Sequence, residues 1–81
     1  MTTTKIGSRI KACAVFEAGS VKPAWFEWDK KKIIVKETTF FWKTKEGDAV
    51  VMHFSVTDGA TYFELSFDQQ SLEWKLENSE V

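Results

Sequence analysis

His53 is the only histidine and Cys13 the only cysteine of this 81-residue chain, so the side chains that most often serve as base, nucleophile or metal ligand occur once each. A structural zinc takes four protein ligands and a catalytic one three, which one Cys and one His do not supply. No nucleophile elbow, glycine-rich phosphate loop, His-Glu-x-x-His or paired-cysteine motif is present. Glu64, Asp68, Glu73 and Glu77 offer carboxylates for acid–base work, but Glu64, Glu73 and Glu77 alternate with apolar neighbours and so turn toward water as ordinary solvated anions. His53 shares a parity with Ser55 and is expected on the solvent side too. Cys13 reads either as a small buried apolar residue or as a thiol activated by Arg9 and Lys11. The pattern points to a protein that is not an enzyme and carries no metal or cofactor.

What remains is the chemistry of binding. Trp25 is opposite in parity to Phe26 and Trp28, and either Phe40 or Phe41 must face away from its neighbours, so some aromatic side chains are expected at the surface. Exposed apolar patches on small proteins mark protein contacts more often than nucleotide stacking. The candidate binding surface is therefore Trp25, Lys22, Lys30, Lys31, Lys32, Lys36 and Phe40, with another protein or a second copy as first partner. The alternative is single-stranded nucleic acid: bases stack on Trp25, roughly 1 to 3 kcal/mol each, while the lysines meet phosphates.

These side chains must be positioned by strands. Val50, Met52, Phe54 and Val56 alternate with Val51, His53, Ser55 and Thr57; Phe63, Leu65 and Phe67 alternate with Tyr62, Glu64 and Ser66; Leu72, Trp74 and Leu76 alternate with Glu73, Lys75 and Glu77. Period two gives each run one apolar and one polar face. Asp58-Gly59 is expected to form a tight two-residue hairpin turn between the first two runs, and the three together a meander. Upstream, a first strand begins near Ile6. A second opens at Val21-Lys22-Pro23, where the only proline marks a strand start or an edge. From Lys32 to Lys45 the parity is inconsistent and the run too long for one straight strand, which predicts a bulge or bend near Glu37-Thr38-Thr39. Residues 1–5 and 78–81 read as tails around one domain, 6–77. The expected architecture is all-β, an SH3-like small antiparallel barrel or a curled sheet of five to six strands.

At 81 residues, folding hides only about 60 to 65% of the surface of the unfolded chain, so the core must be dense. Seven Phe, four Trp and one Tyr supply that density, since a lone cysteine forms no internal disulfide. Met1-Thr2-Thr3-Thr4-Lys5 lacks the apolar core of a secretory signal, and no apolar run approaches a membrane span, so the expected setting is cytoplasmic with no membrane partner. Net charge is -1, which argues against a generally basic nucleic-acid binder. Residues 1–45 carry ten basic and four acidic side chains (+6), and residues 46–81 one basic and eight acidic (-7). Cross-strand pairing is expected to neutralise the two halves; otherwise the molecule is dipolar, with a basic face able to steer an anionic partner.

Pro23-x-x-Phe26-x-Trp28, Ile33-x-Val35, Trp42, Phe54-x-Val56-x-Asp58-Gly59, Phe63-Glu64-Leu65-x-Phe67-Asp68 and Trp74-x-Leu76 together resemble the pattern of small uncharacterised bacterial all-β domains, over roughly residues 15–77. The resemblance implies the fold and no catalytic residue. Some such domains stand alone and others are appended to DNA-repair polymerase-like proteins, which implies nucleic acid as a possible partner. This chain has lysines where that pattern tends to have arginines.

Overall fold

The computed structural model describes residues 3–81 as seven strands: β1 (Thr3–Glu17), β2 (Ser20–Trp28), β3 (Lys31–Ile34), β4 (Glu37–Glu46), β5 (Ala49–Thr57), β6 (Tyr62–Asp68) and β7 (Glu73–Glu80). They form one antiparallel sheet in the order β3-β2-β1-β7-β6-β5-β4. The expected alternation is met in the carboxy-terminal meander, where Phe54, Val56, Leu65 and Leu76 are fully buried and Met52, Phe63, Phe67 and Trp74 nearly so. None of the described residues is helical, so no helix is long and apolar enough to cross a membrane.

The sheet folds over on itself because its long strands change partners. The first half of β1 pairs with β7 (Thr3–Ile10) and the second half with β2 (Lys11–Glu17). Between Lys5 and Ser8 the β1–β7 register shifts, and Gly7 sits there at φ +67°, a left-handed conformation that glycine adopts at little cost. A second register shift falls between Cys13 and Ala14. The bending lays β2 across the meander. Phe26 of β2 is fully buried and meets Phe63 edge-to-face at 5.2 Å, joining the two halves of the molecule through one core.

Several expectations are corrected. There are seven strands rather than five to six, because the long third run divides at Val35-Lys36: β3 pairs only with β2, and β4 only with β5. Val35 N–H still donates to Ala24 O and Lys36 N–H to Thr57 O, so the chain hands over from one partner to another within two residues. The predicted bulge does occur, as a register shift between Thr38 and Phe40. The sheet is not a closed barrel, since no ladder joins its two end strands, β3 and β4; the curled sheet is the correct alternative.

The expected tails are mostly strand, with Thr3, Thr4 and Lys5 paired to Glu80, Ser79 and Asn78, while Met1 and Thr2 lie outside the described residues. Threonine suits a strand, and this pairing stayed hidden because it buries no apolar side chain. The two-residue Asp58-Gly59 turn is instead a loop over residues 58–61, closed by Thr57 Oγ1 donating to Thr61 O (2.8 Å) and Asp58 Oδ1 accepting from the amides of Ala60 (2.9 Å) and Thr61 (2.8 Å). Leu72 is not on the inner face; it is 70% exposed in the β6–β7 turn, at φ +62°.

Candidate docking groove

The predicted binding residues are dispersed over the molecule rather than gathered on one surface. Trp25 is half-buried on the outer face of β2, in a cross-strand row with exposed Cys13 and Ile34, and Lys32 Nζ lies 4.4 Å from its ring centre. Lys30 and Lys31 are at the β2–β3 turn, where Lys30 lines a shallow recess with Arg9, Lys11 and Trp28. Lys36 is elsewhere: its side chain lies over the 58–61 loop, 3.3 Å from where a Cβ on Gly59 would be, and its charge favours the ionised Asp58. Phe40 is on β4 at the far end of the sheet order and 65% exposed. Cys13 is therefore not the buried apolar residue of the first reading.

His53 is not solvent-exposed, as its parity suggested; it is 9% exposed on the outer face of β5. Trp42 of β4 stacks flat on the imidazole at 5.1 Å, Thr44 Oγ1 is 2.8 Å from Nε2, and Nδ1 lies 3.5 Å from Glu64 Oε2. That last approach lacks hydrogen-bond alignment, which leaves Nδ1 buried without a partner. Asn78 Nδ2 donates to the other oxygen of Glu64 (3.1 Å), and Ser66 Oγ donates to Glu77 (2.6 Å). Hydroxyl, imidazole and carboxylate follow one another in the order used by nucleophilic triads. The indole of Trp42 covers the ring, however, and the neighbouring backbone is strand engaged in ladders on β5. The arrangement serves as a small second core on the outer face, and it takes Glu64 and Glu77 out of full exposure.

The place the sequence did not single out is a groove between two unpaired strand edges. Ser20–Pro23 of β2 pair with β1 alone, and β4 pairs with β5 alone. The curl brings these edges to opposite sides of a recess of about 340 Å³, with Met52 and Phe54 on its floor, Val21 and Lys22 on one lip and Phe41 and Lys43 on the other. It runs on into a second recess of about 470 Å³ that shares Val21, Lys43 and Met52 and ends at Phe16 and Gln69. Phe41 is 45% exposed although its ring touches Phe54 at 5.3 Å, so the core reaches the surface here. Of these residues only Lys22 belongs to the sequence-predicted surface; the aromatic run Phe40-Phe41-Trp42 was the available signal for the rest.

Charge is arranged unevenly around the groove. The expected neutralisation of the two sequence halves is nearly absent: among the described residues Arg9–Glu73 (3.2 Å) is the one ion pair of a Lys or Arg with a carboxylate, and it is largely solvated. Lys22 and Lys43 make no such pair, and no carboxylate shares the 340 Å³ recess with them. Both lips come from the basic half of the sequence, because Val21, Lys22, Phe41 and Lys43 all lie within residues 1–45. Comparisons with protein-family models, curated proteins and solved structures find no match for this chain.

Proposed function

We propose that this protein is a non-enzymatic interaction module that takes an extended segment of a protein partner, or of a second copy, along the free edge of β4. The observation that carries this reading is β4 itself. It is a ten-residue strand paired on one side only, with Phe40 65% and Phe41 45% exposed and no proline to block a further strand. A long, aromatic, unpaired edge of this kind is a template for strand addition, in which main-chain hydrogen bonds supply affinity and alternate side chains enter pockets. The SH3-like reading of the curled sheet agrees with a module that binds extended ligands in a surface groove.

The nucleic-acid alternative has Trp25 and Lys32 in its favour, but Lys32 already occupies one face of the indole, and Lys36 and Phe40 are not part of that surface. The resemblance to bacterial domains found beside DNA-repair polymerase-like proteins keeps oligonucleotides as the comparison ligand. The test is a peptide-display selection against the pure protein, followed by mapping of amide shifts on adding an enriched peptide, with labelled single-stranded DNA and RNA titrated in parallel. Shifts concentrated on Phe40–Lys45 are expected. Enrichment of nothing, or salt-sensitive oligonucleotide binding with quenching of Trp25, would replace this reading.

A further inference from the structure

We infer that the segment taken by the groove is acidic, with apolar side chains at alternate positions and carboxylates between them. This rests on the strand-addition reading and specifies its ligand.

The floor and walls ask for apolar side chains. Met52, Phe54, Val21 and Phe41 line the recess, and its continuation toward Phe16 gives it the length of several extended residues. A segment lying there as a strand sends every second side chain down onto Met52 and Phe54 and the others up toward the lips. The two unpaired edges, Ser20–Pro23 and β4, hold the backbone groups that an extended main chain can satisfy and a helix cannot, since a helix keeps its own bonds internal.

The lips decide the charge. Lys22 and Lys43 stand on opposite sides of the recess as exposed ammonium groups without ion-pair partners among the described residues, and the nearest lining carboxylate, Glu17, is in the second recess. A basic segment would add like charges to the two lysines that line the recess, and a neutral one would leave both uncompensated. An acidic one neutralises them. A second copy is disfavoured on the same ground, because its own free edge carries Lys43 and Lys45 into the same place. Nucleic acid would satisfy the lysines but leave the apolar floor and both strand edges unused.

The probe is a fluorescein-labelled, amidated peptide, Asp-Val-Glu-Phe-Glu-Val-Asp, followed by anisotropy. Its controls are the same peptide with Asn and Gln for the acids, and one with Lys for them. Saturable binding of the acidic peptide is expected, weakened about tenfold in the exposed-site double variant Lys22→Glu, Lys43→Glu and again by raised salt. The lysine peptide should be inert to the parent and rescued by the double variant. Circular dichroism verifies that the variant is folded; a Lys22→Gln, Lys43→Gln pair serves in its place if the reversal unfolds it. Equal binding of acidic and neutral peptides, insensitive to both lysines, would overturn the acidic specificity and leave strand addition standing. Binding lost instead in Lys30→Glu, Lys31→Glu would move the site away from the groove. No binding by any peptide, with monomeric behaviour throughout, would overturn both.

Discussion

Trp42 and His53 lie face to face on the outer side of the sheet, ring centroids 5.1 Å apart and planes within 5°, on the face that alternation assigns to water. The imidazole contributes mainly as a flat filler, since Nδ1 is buried without a hydrogen-bond partner and only Nε2 is engaged, by Thr44. An unpartnered buried polar atom costs roughly 1 to 3 kcal/mol. His53→Phe keeps the stack and removes that cost, so it should leave stability unchanged or raise it. His53→Ala should lower it by about 2 kcal/mol through lost packing. Urea denaturation of the two variants checks this; equal losses would mean that the polar contacts to Thr44 and Glu64, not the stacking, hold the cluster.

Leu72 occupies a left-handed conformation at φ +62° while 70% exposed, and its amide bonds to Asp68 O at 2.8 Å to complete the β6–β7 turn. A branched side chain there costs about 1 to 2 kcal/mol of backbone strain, with little burial in return. Leu72→Gly should therefore stabilise the protein by about 0.5 kcal/mol, after the extra entropy that glycine loses on folding. Thermal denaturation should show a small rise in Tm. A fall would mean that Leu72 makes contacts that its exposure does not suggest.

The inner face was legible and the outer one was not, for a common reason. Met52, Phe54, Val56, Phe63, Leu65, Phe67, Trp74 and Leu76 all reach the core from simple alternation, because each run has neighbours on both sides and one shared apolar face. His53 is buried by Trp42, Thr44 and Glu64, which come from other strands, so its burial depends on register. Leu72 sits on the apolar parity, yet the turn ends after it. The lysines were readable as surface residues, but the dispersal of the candidate surface was not, because it follows from the break at Val35-Lys36. That break also creates the free edge of β4, so the meeting of Val21, Phe41 and Lys43 over Met52 is a tertiary fact with no local pattern behind it.

Asp58 gives the clearest acid dependence. Its carboxylate accepts from the Thr61 and Ala60 amides and lies near Lys36; these hold its pKa below the usual 3.8, with the backbone bonds the larger cause. A folded-state pKa below the unfolded one means that the contribution is complete above the unfolded value and lost as pH falls through the folded one. Asp58→Ala should cost about 1 to 2 kcal/mol at neutral pH. The difference between variant and parent should hold down to about pH 5 and shrink below pH 4. Urea midpoints of both proteins between pH 3 and pH 7 measure it, and a gap that stays constant to pH 3 would show that the bonds do not depend on the charge.

Phe26 is the fully buried hydrophobic side chain that β1–β3 contribute to the core, packed edge-to-face on Phe63 of the meander at 5.2 Å. Deleting a buried phenylalanine ring costs about 3 to 5 kcal/mol, a large part of the stability to be expected of so small a protein. Phe26→Ala should therefore leave the chain partly unfolded at room temperature. Phe26→Leu keeps most of the volume and should cost less than half as much. The groove makes the pair of variants informative beyond stability: Val21 and Lys22 on one lip belong to the same strand as Phe26, whereas Phe41 and Lys43 on the other belong to β4. If Phe26→Leu remains folded but binds the acidic peptide more weakly than the parent, the spacing of the two lips is set by the Phe26–Phe63 contact. Unchanged binding would mean that the β1–β2 hairpin holds its lip in place without it.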